Sequence, residues 1–371
     1  MPTSRFIFFF AALFLAITTE AATLSTTPVR TIPVRRWFAQ SAPYAFDGTY
    51  EFIGTSDGLW RSVRISDPAQ PLERVAFPGE QILALAVHGG KLYVGKAPTL
   101  NATNTEHTFV VTDDHGATFT PRDAGLRDCS LDCGYILVNS VEFDDERLFI
   151  EAGGNLLVSH DDGVTWKNLF PTDRTTPAVR NCPLQFEIVA NRALVGGECP
   201  LDVGWIGAGV LAAGDHEWTT EPRRLNVPGM QNRNVQFIAL QRGSIFAAVE
   251  GGLLRSDDLG ESYRWVSRFD FSSSQYPYMK QFVASTADPH VMLAGGFDKP
   301  HDVLYAMLST DGGEHWQDVS RFLSPTLHSS VYLLAEDRDG HLLAGVQRED
   351  RLELFTIDVV PATMRRRAAG H

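Results

Sequence analysis

Short apolar runs, rather than long periodic ones, organise this chain. Seven share one form, a few β-prone residues ending at or near a small residue. They are Tyr50–Gly54 (YEFIG), Leu92–Gly95 (LYVG), Leu148–Ala152 (LFIEA), Ala193–Gly196 (ALVG), Ile245–Val249 (IFAAV), Val291–Gly295 (VMLAG) and Leu342–Gly345 (LLAG). A strand-like run precedes each and another follows it, with turn residues between and no long amphipathic helix. The pattern predicts an all-β chain of seven units of about 50 residues, each long enough for a four-stranded propeller blade.

The third run of several units leads into a second repeat. Thr112–Phe119 (TDDHGATF), Ser159–Trp166 (SHDDGVTW), Ser256–Tyr263 (SDDLGESY) and Ser309–Trp316 (STDGGEHW) fit Ser/Thr-x-Asp-x-Gly-x-Ser/Thr-aromatic, with His315 replacing the hydroxyl in the last. Leu211–Trp218 (LAAGDHEW) is a degenerate copy that keeps the Trp, and the starts then fall 47, 52, 45 and 53 residues apart. An Asp carboxylate accepts several turn N–H bonds, Gly tolerates positive φ, and a terminal aromatic buries a large apolar area. These properties assign Asp114, Asp161, Asp258 and Asp311, with Gly116, Gly163, Gly260 and Gly313 and with Trp166 and Trp316, to turn building. Their recurrence at blade spacing argues against a single catalytic or calcium site.

The motif resembles the Asp-box, or BNR repeat, of sialidases, sortilin-type receptor domains, xyloglucanases and photosynthetic assembly factors. The resemblance implies a β-propeller in which the box closes the turn between the third and fourth strands of a blade. Against a sialidase in particular, the nearest counterpart of that family's Arg-Ile-Pro element is Arg30-Thr31-Ile32-Pro33, with one residue inserted. Tyr276 or Tyr278 with Glu250 has no motif around it, and seven units are counted where sialidases usually have six blades.

A propeller joins its last blade to its first. The last unit supplies three strands, so the N-terminal Val29–Phe38 is expected to pair into the blade of Ser330–Val360 as the fourth. Box turns then share one face with the first-to-second strand turns. The opposite face carries the second-to-third loops and the blade connections, which are longer and so mark the expected binding surface. Candidates there are a cationic cup (Arg174, Arg180, Arg233, Lys280, Arg348), acid/base carboxylates (Glu151, Glu198, Glu250, Asp298, Asp350) and aromatic walls (Trp205, Tyr276, Tyr278). Glu250, Tyr276 and Asp298 are the catalytic candidates; Arg174, Arg180, Trp205, Arg233, Tyr278 and Arg348 are the ligand-binding ones.

Composition narrows the function. The 371 residues are 44% hydrophobic, and 45 acids against 32 Lys plus Arg give a net charge of −13, which disfavours a nucleic-acid partner. Residues 1–21 read as a signal peptide: Arg5, the apolar run Phe6–Ile17, then small residues. No later run approaches the length of a membrane span, so a secreted or periplasmic domain over 22–371, with a basic tail from about 361, is expected. Four cysteines suit that compartment, with pairings Cys129–Cys133 and Cys182–Cys199 favoured over a four-thiolate metal site. Asn101-Ala102-Thr103 is a glycosylation sequon. No histidine spacing marks a metal site and no motif marks a cofactor. The expectation is an exported propeller that binds a carbohydrate or protein ligand, or assembles, through its loop face. The alternative is a glycosidase-like enzyme, sialidase-type or another carbohydrate hydrolase or lyase.

Overall fold

The computed structural model describes residues 23–34, 41–97, 107–127, 137–144, 147–169, 184–197, 205–212, 218–224, 227–228, 234–268 and 277–360. The candidate signal segment, the four cysteines, Asn101, Arg174, Arg180, Glu198, Arg233, Tyr276 and the basic tail lie outside the described residues.

The chain is a seven-bladed β-propeller. Blades 1 to 6 are antiparallel four-stranded sheets in sequence order, spanning Tyr44–Ala76, Gln81–Pro121, Val138–Asn168, Leu184–Arg224, Val235–Arg268 and Pro277–Asp318. Blade 7 takes three strands from Ser329–Val360 and its outermost strand from Thr23–Pro33. The seven apolar runs are the second strands. Those at Glu51–Thr55 and Leu148–Ala152 are buried at every position, because a neighbouring blade covers each side. At Gly95, which lies on such a strand, an added Cβ would come within 2.3 Å of the Val138 carbonyl oxygen of the next blade.

The outermost strands show the opposite logic. Thr120–Pro121, Lys167–Asn168 and Gln317–Asp318 are two-residue strands with no fully buried position, a way of keeping sheet edges short and polar. The core is divided among the blade interfaces, one apolar layer to each. Phe52, Leu59, Ile82, Leu92 and Val94 fill the layer between blades 1 and 2, for example.

The closing strand is offset from its expected position. It begins at Thr23 rather than Val29 and ends at Pro33, running from Thr23↔Val360 to Pro33↔Arg351 with an irregularity between Pro28 and Arg30. Being outermost, it buries Leu24 and Ile32 while exposing Ser25, Thr27 and Thr31. The prolines are tolerated because one edge of the strand has no partner. The amide of Ala42 donates to Tyr332 O at 2.6 Å, a second link between blade 1 and blade 7.

Candidate functional site

The two faces differ in what their side chains do. Four third-to-fourth strand turns hold the repeat motif, and each is wired alike. The hydroxyls of Thr112, Ser159, Ser256 and Ser309 donate to the aspartates two residues on, at 2.7–2.9 Å. They also accept the amides of Gly116, Gly163, Gly260 and Gly313 at 2.8–3.0 Å. Oδ1 of Asp114, Asp161, Asp258 and Asp311 accepts the amide four residues on. Oδ2 accepts the Thr118, Thr165 or Ser262 hydroxyl at 2.6 Å and lies 2.6 Å from Nδ1 of His315.

These bonds favour the ionised acids. Burial pulls Asp161 upward, but the Thr165 hydroxyl and amide, the Ser159 hydroxyl and the Val164 amide hold it below the ordinary carboxylate range. A depressed native pKa contributes stability above the unfolded value, which is lost as pH falls through the native one. Asp161→Ala should therefore cost about 1–2 kcal/mol at neutral pH, as a turn losing its acceptor does. Chemical denaturation measures this, and the gap to the parent should narrow below about pH 4. A gap that stays constant into acid would contradict the assignment.

The same turns bind the blades together. Arg61 Nη1 donates to the His115 carbonyl of blade 2, Arg122 Nε to the Asp162 carbonyl of blade 3 at 2.8 Å, and Arg255 Nη1 to the Gly312 carbonyl of blade 6 at 3.0 Å. Each guanidinium belongs to the preceding blade and caps the residue before the motif glycine. The motif aromatics pack across the same seams. Trp166 meets Phe109 edge-on at 5.9 Å, and Trp316 meets Phe246 edge-on at 6.3 Å. The segments Gly58–Ser62 (GLWRS) and Gly252–Ser256 (GLLRS) place Arg61 and Arg255 alike, a likeness already present in the sequence.

The opposite face holds the loop-face candidates, and they divide into two kinds. Arg348 is turned inward: Nε donates to Glu353 at 2.6 Å, Nη1 to the Thr326 hydroxyl at 2.7 Å and Nη2 to Leu323 O at 2.9 Å. At 7% exposure it ties the short helix Ser320–Leu323 and its lead-out to blade 7, rather than standing at the rim as expected. Glu151 is fully buried and accepts the Gly154 amide and the Asn139 side chain. Glu250, 4% exposed, accepts the Asn234 side chain at 3.0 Å. Asp350 lends its carbonyl to the Val34 amide. Trp205 opens the third strand of blade 4, paired with Gly197.

Tyr278 and Asp298 are neighbours in the sheet of blade 6 but face opposite ways. Tyr278 pairs with Phe297 and Asp298 with Pro277, which puts their side chains on the two sides of the sheet. The exposed Lys299 stands over the Tyr278 ring at 5.9 Å, and Asp298 lies 2.7 Å from Nδ1 of His301. Lys280 lines a cavity of about 400 Å³ along the central channel, formed by the first strands of blades 5, 6 and 7 and the lead-in to blade 1. Glu336 lines it as well, but is held by the Thr286 amide and the Ser285 hydroxyl.

One arrangement on this face had no local signal. Nδ1 of His107 lies 2.9 Å from Asp123 Oδ1, while Oδ2 accepts the Thr108 amide at 2.9 Å. A buried carboxylate thus fixes a partly exposed imidazole, the geometry that orients a general base. The two are sixteen positions apart in sequence, so only the fold reveals the pairing.

No protein-family model matches the chain, and no curated protein matches it. Solved structures share its fold. The extracellular domain of BT4673 from B. thetaiotaomicron superposes with a TM-score of 0.59 at 13% identity, over 88% of this chain and 39% of that one. This chain therefore spans about two-fifths of that domain's length. YCF48 from Cyanidioschyzon merolae superposes with a TM-score of 0.57 at 14% identity, over 90% of this chain and 98% of its own. The WD40 propeller domain of Doa1 gives 0.53 at 11% identity, over 89% and 96%. At such identities the likeness is one of fold. No helix among the described residues is long and apolar enough to cross a membrane.

Proposed function

We infer that this chain is an exported Asp-box propeller that binds a carbohydrate or protein ligand through its loop face. The observation that carries the reading is the division of labour between the faces. Repeat-turn carboxylates are saturated by their own backbone and hydroxyls, whereas the opposite face presents Tyr278, Lys299, Asp298 and His301 around one hairpin. An aromatic ring beside a cation suits a polyhydroxylated, acidic ligand, with a stacking surface and a charge partner, and the Asp298–His301 pair adds an acceptor on the same hairpin. Chain length supports the blade connections only: fifteen residues separate Asn168 from Leu184 and eight separate Arg268 from Pro277 on this face, while its second-to-third turns at Thr55–Gly58 and Val249–Gly252 have two residues between, and ten separate Ser62 from Glu73 on the other face. Arg174 and Arg180 belong in sequence to the first of those two blade connections, Tyr276 to the second and Arg233 to the one between Arg224 and Val235, and they remain part of the proposed surface, with Trp205 at its border. Extracellular placement of BT4673's domain accords with export.

Titration with sialosides and acidic polysaccharides tests the reading. Tyr278→Ala and Lys299→Ala should each weaken binding about tenfold, or ~1.4 kcal/mol, with little change in melting temperature. Asp161→Ala should lower stability and leave affinity intact. The reverse pattern would place the ligand on the repeat-turn face. Turnover abolished by Glu250→Gln or Asp298→Asn would replace the binding reading with the glycosidase one.

A further inference from the structure

At one level of the ring, each first strand presents a residue to the following blade. Register with the second strands identifies the set: Ala45, Ala86, Glu142, Glu187, Ala239, Val283 and Ala335, opposite Phe52, Tyr93, Phe149, Leu194, Phe246, Leu293 and Leu343. Five blades place a small aliphatic there, which joins the apolar layer of its seam. Blades 3 and 4, which are neighbours, place glutamates. The longer side chains reach across the seams to main-chain amides. Glu142 Oε2 accepts the Ile188 amide of blade 4 at 2.8 Å, and Glu187 accepts the Leu240 amide of blade 5.

We propose that Glu142 and Glu187 form a proton-dependent latch along the seams on both sides of blade 4, closed when the pair retains a proton and loosened when both carboxylates ionise. Two acids on adjacent strands repel each other when both are charged, and the charged groups on the packed strands are engaged elsewhere. His88 stacks on Phe143 at 4.4 Å, Lys91 pairs with Asp162 and Lys96 with Glu80 in blade 2. Glu151 is bonded to Gly154 and Asn139, Arg147 to Asp144, and Arg192 to Glu261. The first strand of blade 5, Val235–Gln241, carries no ionisable side chain. Among the described residues nothing from these strands neutralises the pair.

Loss of hydration, the largest influence on both, raises each carboxyl. Glu187 is pushed up to about 7, and Glu142 rises well above the usual range, with the Glu187 charge adding to its burial. The sign follows from linkage. A native pKa raised above the unfolded 4.5 means that the folded chain holds more protons between the two values. Stability therefore declines as pH rises through that interval and levels off above the native value.

Melting temperature measured from about pH 5 to about pH 8.5 should fall by about 4–8 °C through this pair. Glu142→Gln and Glu187→Gln, which keep the shape and remove the titration, should each flatten much of that decline and melt higher than the parent at the alkaline end. Glu349→Gln, at an exposed position, should follow the parent. Two readouts on the unaltered protein accompany the melts. Infrared difference spectra in D2O should show a protonated carboxyl at pH 6 that is lost by pH 8.5. Exchange of the Ile188 and Leu240 amides should accelerate across that range more steeply than intrinsic exchange chemistry. Parallel melting profiles in parent and glutamine variants, or absence of the protonated carboxyl band, would overturn the latch. So would restoration of the alkaline melting temperature by Ca²⁺ in the parent but not in Glu142→Gln, since the pair would then hold a cation and not a proton.

Discussion

A chain lacking Thr23–Pro33 should fail to give a soluble, cooperatively folding monomer. The segment is the only part of blade 7 that is distant in sequence, and it pairs along the whole of Arg351–Val360. Its loss would uncover a long strand bearing Leu352, Leu354, Phe355 and Ile357, an unprotected edge of the kind that templates aggregation. It would also cut the ties beyond the sheet. The Thr26 hydroxyl donates to Phe322 O at 2.8 Å, and the Arg30 guanidinium donates to the carbonyls of Ile65 at 2.7 Å, Arg64 at 3.3 Å, Gln70 at 2.8 Å and Asp67. Arg30 thus reaches from blade 7 into the long turn of blade 1, a structural task for the residue that opens the Arg-Thr-Ile-Pro element. Arg30→Ala isolates that contribution and should cost about 2–3 kcal/mol, as charge-assisted bonds left without their donor do. Size-exclusion profiles and denaturant melts check both. A truncated chain that stays monomeric and melts within a few degrees of the parent would show the ring closed without its latch.

The same strand shows where sequence reading succeeds and where it slips. The need for a fourth strand in blade 7 followed from counting runs, because closure is a global requirement that a repeat makes visible. The strand lies five to six residues before the expected Val29–Phe38, because Thr23–Pro33 is an outermost strand with one exposed face and an irregularity after Pro28. Only Leu24 and Ile32 mark its buried side, too few to set a period. Second strands were legible because blades cover both their sides. Repeat turns were legible because their bonds are local, spanning two to four residues. The loop face was not, since its geometry depends on residues brought together by the ring. Arg348 reads as a free cation and is an internal tie to Glu353, while His107 and Asp123 read as unrelated and are paired. Glu142 and Glu187 carry no local mark in the sequence; only register puts them at a level where other blades have alanine or valine.

The motif glycines, alike in sequence, should respond very differently to alanine. Gly116 and Gly313 have φ of +88° and +87°, so a side chain at either costs about 1–2 kcal/mol in the left-handed region. The surroundings then separate them. At Gly116 an added Cβ would find Val75 at 3.5 Å and Phe119 and Phe52 at 3.7 Å, ordinary contact distances. At Gly313 it would meet Phe246 Cε1 at 2.4 Å and Cζ at 2.5 Å. That ring cannot retreat. It is fully buried, stacked on Phe282 at 5.5 Å, edge-on to Trp316 and covered by Arg255 at 5.6 Å. Overpacking a fixed site adds about 1–3 kcal/mol. Gly116→Ala should therefore cost about 1–2 kcal/mol and Gly313→Ala about 2–5, read as a shift in denaturation midpoint at unchanged slope. Phe246→Leu, combined with Gly313→Ala, should recover part of the difference because it removes the two atoms in conflict. Equal losses at the two glycines, or no recovery in the double variant, would mean that backbone conformation alone sets the cost and that the blade 5–blade 6 seam is softer than its packing implies.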